Sequence, residues 1–118
     1  AAVTGFVEGN FFVPQSDPAL VRRIVGTMSS ARPAAGVPAL EGLLTWDWES
    51  AFAGFDVPLV LLNAAQPPTG REPLEQVAPG VRVRTFDGVG HFLMMEQPQS
   101  FNVVLLEELA RLGQPGAG

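Results

Sequence analysis

The most constraining feature of the sequence is Val57–Leu62, a continuous apolar run with Pro58 as its second residue. Such a run fits a strand that is buried on both faces, and proline is tolerated where a strand begins. Val81–Phe86 alternates apolar and polar residues, which predicts a half-exposed strand near a sheet edge. Between the two strands we expect a loop at Pro67–Gly70 and a short helix over about Arg71–Ala78. Because a helical crossover makes the strands parallel, the sequence predicts an α/β fold.

Apolar residues at helical spacing predict four further helices. Pro18 and Pro98 suit the first helical position, and either Ser16 or Asp17 can cap the helix that Pro18 opens. Asp47 is the expected N-cap of a short third helix. The expected ranges are Pro18 to about Ser29–Ala31, then Ala35–Thr45, Trp48–Phe55 and Pro98–Leu112.

Several apolar segments need a surface to pack against. Trp46 can fold back on the third helix as a hydrophobic staple. Residues 1–15 carry phenylalanines and valines among glycines without a clean period, which fits a coil or short strand packed on the body, or an intersubunit or lipid-facing flap. Because two strands do not make a stable sheet, residues 1–13 or another chain are expected to add strands. The second helix is expected to turn four side chains inward: Val37, Leu40, Leu43 and Leu44.

Composition and charge exclude several classes of function. The chain of 118 residues has a net charge of −5, and its basic residues are scattered, so no nucleic-acid partner is expected. One histidine and no cysteine argue against a metal site. No apolar stretch approaches the roughly 18 residues of a membrane span, and no signal-peptide pattern is visible, which favours a cytoplasmic location. Apolar residues make up 47% and charged residues only 16%, so surplus apolar surface is expected to be buried in a homo-oligomer, against a missing part of a larger protein or against a ligand.

His91, the single histidine, lies just beyond the expected second strand on a glycine-rich turn, Gly88–Gly90. Ligands of open α/β sheets bind outside the carboxyl ends of the strands. An imidazole exchanges protons near neutral pH, so His91 is a candidate general base. A histidine in this position is also compatible with a structural or merely exposed side chain.

Three spaced motifs around His91 follow one another in the order found in a known family. Gly88–Phe92 reads GVGHF, Glu96–Pro98 reads EQP, and Phe101–Asn102 reads FN. Together with the preceding apolar strand Asp56–Asn63, this string resembles the C-terminal segment of the α/β-hydrolases. The link Leu43–Asp47 is similar to the connection from cap to core in that family. The resemblance covers about residues 16–112 and implies esterase, lactonase or related hydrolytic chemistry, with His91 as the base of a catalytic triad.

The chain departs from the family at the other two members of the triad. The nucleophile elbow Gly-x-Ser-x-Gly is absent, and the stretch Asn63–Gln66, where the family has its acid, holds no carboxylate. Ser29 or Ser30, at the end of the first predicted helix, is the candidate nucleophile, since the cap of the family overhangs the active site. Asp87 is the candidate acid that would orient His91. Two further carboxylates are alternatives for that role: Asp47, which is better suited to capping a helix, and Glu96, which is better suited to a structural role.

Side chains next to His91 could line a substrate pocket. Phe92, Met94 and Met95 form an apolar wall that serves either core packing or the binding of an acyl group. Arg82 and Arg84 share one face of the alternating strand, where they either face solvent or grip a carboxylate.

The predicted architecture is a single domain, residues 1–118, that corresponds to a truncated half of the hydrolase fold. It comprises the apolar segment 1–15, cap-like helices over 16–55 and a β–α–β–α core over 56–113, with few parallel strands flanked by helices and completed by self-association. The predicted activity is that of a minimal serine ester hydrolase acting on small carboxylic esters without a cofactor. The alternative is a non-catalytic half-protein or scaffold that needs a partner chain to supply the nucleophile.

Overall fold

The computed structural model of the chain describes residues 2–65, 75–76 and 78–113, which form an α/β arrangement of helices around a small parallel sheet. Its helices are α1 (Ala2–Phe11), α2 (Pro18–Ser29), α3 (Pro33–Thr45), α4 (Trp48–Phe52), α5 (Leu93–Glu96) and α6 (Pro98–Leu112), and its strands are β1 (Val60–Ala64) and β2 (Arg82–Phe86). The expected loop Pro67–Gly70 lies outside the described residues, and so does most of the expected helix Arg71–Ala78.

Strands β1 and β2 pair in parallel, as predicted, with Val60 opposite Arg82 and Ala64 opposite Phe86. The ladder is extended at both ends, because Arg82 N–H donates to Leu59 O at 3.0 Å and Ala65 N–H donates to Phe86 O at 2.9 Å. Strand β1 begins three residues later than the apolar run. The prediction that β1 is buried on both faces is wrong: most of it is half-buried, since within the described residues β2 is its only neighbouring strand.

The core lies where the end of the sheet meets α5 and α6. Ala64, Phe86, Val89 and Leu93 are buried together, with Leu62, Phe101 and Val104 packed against them. The last helix begins at Pro98 and ends at Leu112, as its spacing predicted. It therefore supplies the side chains that cover one end of β1 and β2.

A charged cluster joins α6 to β2. Glu108 is 2% exposed, and its carboxylate accepts hydrogen bonds from Arg82 Nε at 3.2 Å and Arg84 Nη1 at 2.6 Å. Arg84 also lies 3.4 Å from a carboxylate oxygen of Glu107. Of the two interpretations of the arginine pair, the structure supports the grip on a carboxylate. The hydrogen bonds from Arg82 and then Arg84 hold the pKa of Glu108 below its ordinary value.

The N-terminal segment forms helix α1, so the prediction of a coil or short strand there is wrong. The prediction that residues 1–13 add a strand to the sheet is wrong for the same reason. Val7 and Phe11 are four residues apart, which places them on one helix face despite the irregular spacing of the other apolar residues. Val7 is 1% exposed where α1 packs on α2, whose buried residues are Leu20, Ile24 and Val25. Helix α1 buries apolar surface without contributing to the sheet.

Helix α2 begins and ends where the sequence predicts. Asp17 is its N-cap, with a carboxylate oxygen accepting Ala19 N–H at 2.9 Å, and Pro18 is the first helical residue. Asp47 caps α4 in the same way by accepting Ser50 N–H at 3.0 Å. That helix ends at Phe52, three residues earlier than expected, and the ring of Trp46 lies 6.3 Å from the ring of Phe52.

Helix α3 is almost entirely exposed. The prediction that its apolar side chains turn inward is wrong, because they are between 54% and 77% exposed: Val37, Leu40, Leu43 and Leu44. No other element among the described residues lies against this face. In the part of the chain that the structure describes, no helix combines the length and apolar character needed to cross a membrane.

Candidate functional site

The candidate site is the turn between β2 and α5, which carries His91. Gly88 has a φ of +69°, a left-handed conformation that glycine adopts without steric cost, and Val89 behind it is buried. Gly90 N–H donates to a carboxylate oxygen of Glu96 at 2.8 Å, and His91 N–H donates to Phe11 O at 2.8 Å. The backbone of the turn is therefore anchored to α5 on one side and to the end of α1 on the other.

Glu96 connects this turn to the start of α2. Its second carboxylate oxygen accepts a hydrogen bond from Ser16 Oγ at 2.6 Å, and Ser16 Oγ itself accepts Val13 N–H at 3.0 Å. Ser16 is buried, so these bonds are largely shielded from water. Both carboxylate oxygens of Glu96 are thus engaged. Its geometry gives it the structural role that the sequence suggested for it.

Glycine is required at position 90 for a different reason from that at Gly88. A Cβ atom at Gly90 would lie 2.2 Å from Phe11 O and 2.8 Å from Phe12 Cα. These are backbone atoms, which cannot rotate away as a side chain could. The close approach of residues 11 and 12 to the turn therefore depends on the missing side chain of Gly90.

The imidazole of His91 is exposed and is held by aromatic rings. The ring of Phe11 stacks on it with centroids 4.7 Å apart and planes inclined by 24°. The ring of Phe92 meets it edge-on, with centroids 5.1 Å apart. Within the described residues the imidazole takes part in no hydrogen bond and no ion pair. Its orientation is thus set by ring contacts rather than by a carboxylate.

The other predicted members of a triad lie elsewhere. Ser29 Oγ is 3.3 Å from Thr4 Oγ1, and Ser30 Oγ donates to Thr27 O at 2.7 Å. Asp87 is exposed on the turn, and no hydrogen bond joins its carboxylate to His91. The structure therefore brings neither a serine nor a carboxylate of the described residues into hydrogen bonding with the imidazole.

An apolar cavity of about 380 Å³ lies between α2 and the site turn. It includes two of the three residues predicted to bind substrate, while Met94 is exposed outside it. The cavity is lined by Arg23, Ile24, Thr27, Met28, Phe92 and Met95. The volume falls in the range of small-molecule sites. The ring of Phe92 also lies edge-on to the imidazole, so one lining residue of the cavity is a direct neighbour of His91.

Two side chains at the candidate site were not identified from the sequence. Phe11 reaches His91 across 80 positions of the chain, and its segment has no periodic signal that would have placed it there. Arg23 lines the cavity from α2, and it was not predicted from the sequence as a site residue. Among the described residues, no group of three or more histidine, cysteine, aspartate or glutamate side chains is placed to hold a metal ion.

No protein-family model, no curated protein and no solved structure matches the chain.

Proposed function

We propose that this chain contributes the general base, His91, to the hydrolysis of small carboxylic esters, and that the serine nucleophile comes from a second copy of the chain. The observation that carries the proposal is the contrast at His91. The backbone of its turn is anchored by Glu96 and Phe11, whereas its imidazole is exposed and forms no hydrogen bond with a described residue. A general base held in this way is accessible to a hydroxyl from outside the chain.

The chemistry follows that of a serine hydrolase. The imidazole takes the proton of the partner serine as its Oγ attacks the ester carbonyl carbon, and the imidazolium then gives that proton to the departing alcohol. In the second half, water deprotonated by the same imidazole attacks the acyl carbon, the bond to serine Oγ breaks, and the imidazolium returns the proton to that oxygen as the acid is released. The cavity beside Phe92 suits an apolar acyl group, and the cycle needs no cofactor.

Exposed apolar surface supports a second copy as the partner. Helix α3 presents an apolar face that no described element covers, and α6 exposes Val103, Leu106 and Leu109 on its outer side. Apolar patches of this kind on a soluble chain commonly mark association surfaces. Self-association would complete the small sheet and its flanking helices into the larger α/β-hydrolase-like arrangement that the motifs around His91 resemble.

Subunit mixing tests the proposal. One variant carries His91→Ala and keeps its serines. The other variant keeps His91 but replaces the four exposed serines with alanine: Ser29, Ser30, Ser50 and Ser100. It also keeps the buried Ser16, because its hydroxyl donates a hydrogen bond to Glu96. We expect each variant alone to lack turnover of a chromogenic short-chain ester and to escape labelling by a serine-directed phosphonate, and their co-assembled mixture to regain both.

The outcomes separate the alternatives. Loss of activity in the Ser29→Ala, Ser30→Ala double variant, with no recovery on mixing, would place the nucleophile within the same chain, with Asp87 as the candidate that orients His91. A wild-type chain that neither turns over ester nor takes the label would leave only a non-catalytic scaffold. A monomer in light scattering at micromolar concentration would contradict a nucleophile from a second copy.

A further inference from the structure

A second cavity adjoins the apolar cavity described above. This second space, of about 510 Å³, lies between the start of α2, the Gly88 turn and the end of α5. Arg23 and Met95 line both cavities, so the two adjoin at these side chains. We call the two adjoining cavities the α2 groove; its apolar end lies near Phe92 and its polar end near Gln15 and Gln97.

Among the described residues that line the groove, Arg23 is the only cation, and it lies where the two cavities adjoin. The guanidinium of Arg23 is exposed and forms no ion pair with a described residue. The two carboxylates that line the polar end are already engaged: Asp17 caps α2, and Glu96 accepts from Ser16 and Gly90. Arg23 is therefore available for an anion from outside the chain. A planar guanidinium matches a carboxylate group in a two-point hydrogen bond.

The apolar end has the character of a site for a hydrocarbon chain. Its walls are the aliphatic and thioether side chains of Ile24, Met28 and Met95, closed by the ring of Phe92. Ile24 is buried, and methionine adapts its shape to a flexible ligand. A ligand that matches the groove has one anionic head, placed at Arg23, and an unbranched apolar tail.

We propose that this groove binds an aliphatic monocarboxylate, with its carboxylate on Arg23 and its chain between α2 and Phe92. Engaged carboxylates at Asp17 and Glu96 disfavour a phosphate or a dicarboxylate, whose additional negative charge would meet them without a second cation. The binding rests on the two cavities and on Arg23, so it does not depend on the proposed hydrolysis. An acid released from an ester is nevertheless the same kind of molecule.

The test is isothermal titration of the wild-type chain with octanoate, hexanoate and the neutral 1-octanol, followed by the same titrations of variants. Arg23→Gln removes the charge, and Arg22→Gln is the matched control, since Arg22 precedes it on α2 and lines neither cavity. Thr27→Trp fills the apolar end from an exposed position, where it leaves the fold intact.

We expect octanoate to bind the Arg23→Gln variant about tenfold more weakly than the wild type, and Arg22→Gln to bind it normally. Hexanoate should bind more weakly than octanoate by about fourfold for each methylene lost. Thr27→Trp should abolish octanoate binding. Three results would overturn the proposal, whichever way the hydrolysis experiment turns out. The Arg23→Gln and wild-type chains could bind octanoate equally, the wild-type chain could bind the dicarboxylate succinate as tightly as octanoate, or it could bind no octanoate at all.

Discussion

Replacement of Gly90 by alanine tests the contact that positions His91. The added Cβ would meet Phe11 O at 2.2 Å and Phe12 Cα at 2.8 Å, so the end of α1 has to move away from the turn. Overpacking of this kind costs about 1–3 kcal/mol. The movement also breaks the hydrogen bond from His91 N–H to Phe11 O, which contributes about 1 kcal/mol. We therefore expect Gly90→Ala to lower the free energy of unfolding by about 2–4 kcal/mol.

Two measurements check this value and its cause. With a urea dependence of about 2 kcal/mol per M, the unfolding midpoint followed by circular dichroism should fall by about 1–2 M. Hydrogen exchange at the His91 amide should accelerate, because its acceptor at Phe11 has moved. Gly26→Ala is the matched control: position 26 lies inside α2 with open space around it, so the same substitution should stabilise the chain by about 0.5–1 kcal/mol. An unchanged midpoint for Gly90→Ala together with a still protected His91 amide would refute the close approach of α1 to the turn.

Three further predictions concern charge, capping and association. Arg82 and Arg84 hold the pKa of Glu108 below its ordinary value of 4.5. The stabilisation from these contacts is therefore present above that pH and is lost as the pH falls below it. In Glu108→Gln, the urea midpoint should fall less steeply with decreasing pH than in the wild type. Asp17→Ala removes the N-cap of α2 and should cost about 1 kcal/mol in the same assay, with faster exchange at the Ala19 amide. Leu44→Glu, at a side chain 77% exposed, should leave the midpoint of the monomer unchanged but reduce the apparent mass in light scattering; undiminished association would exclude α3 from the interface.

Elements with local signals were predictable from the sequence. Proline at the first helical position is a local signal, and both α2 and α6 begin where Pro18 and Pro98 predicted. For α2 the carboxylate of Asp17, just before the proline, adds a second local signal. The parallel pairing of β1 and β2 was predicted from the connection between them, which is too long for a hairpin. In these cases the physical cause lies within the segment itself.

Structure that depends on contacts with elements far away in the sequence was predicted poorly. Helical spacing in α3 shows that it is a helix, but whether Leu43 and Leu44 are covered depends on another element, and no described element covers them. For α1 the spacing is irregular, and its helical state follows from the burial of Val7 against α2. The periodicity of apolar residues indicates which of them share a helix face, but it does not indicate which other element packs against that face.

The site shows the same division between local and distant causes. The glycine spacing at Gly88 and Gly90 predicted a turn after β2 that presents His91, and the structure has that turn. What holds it comes from far along the chain: Phe11 stacks on the imidazole, and Ser16 bonds to Glu96 across 80 residues. The sequence pattern of one segment does not predict such contacts, because each contact depends on how two distant segments pack together.

The anchoring of the turn explains how a small sheet can position the side chain of His91. A strand end in a sheet of two strands is held by few ladder bonds, so His91 would be poorly oriented if β2 alone carried it. Here the turn is tied to α5 by the bond from Gly90 to Glu96, to α1 by the bond from His91 to Phe11, and through Glu96 to the buried Ser16 just before α2. The orientation of the imidazole thus depends on α1, α2 and α5 more than on the extent of the sheet. A loss of function in variants of Ser16 or Phe11 that keep their helical content would follow from this arrangement, and it would separate the anchoring of His91 from the stability of the fold.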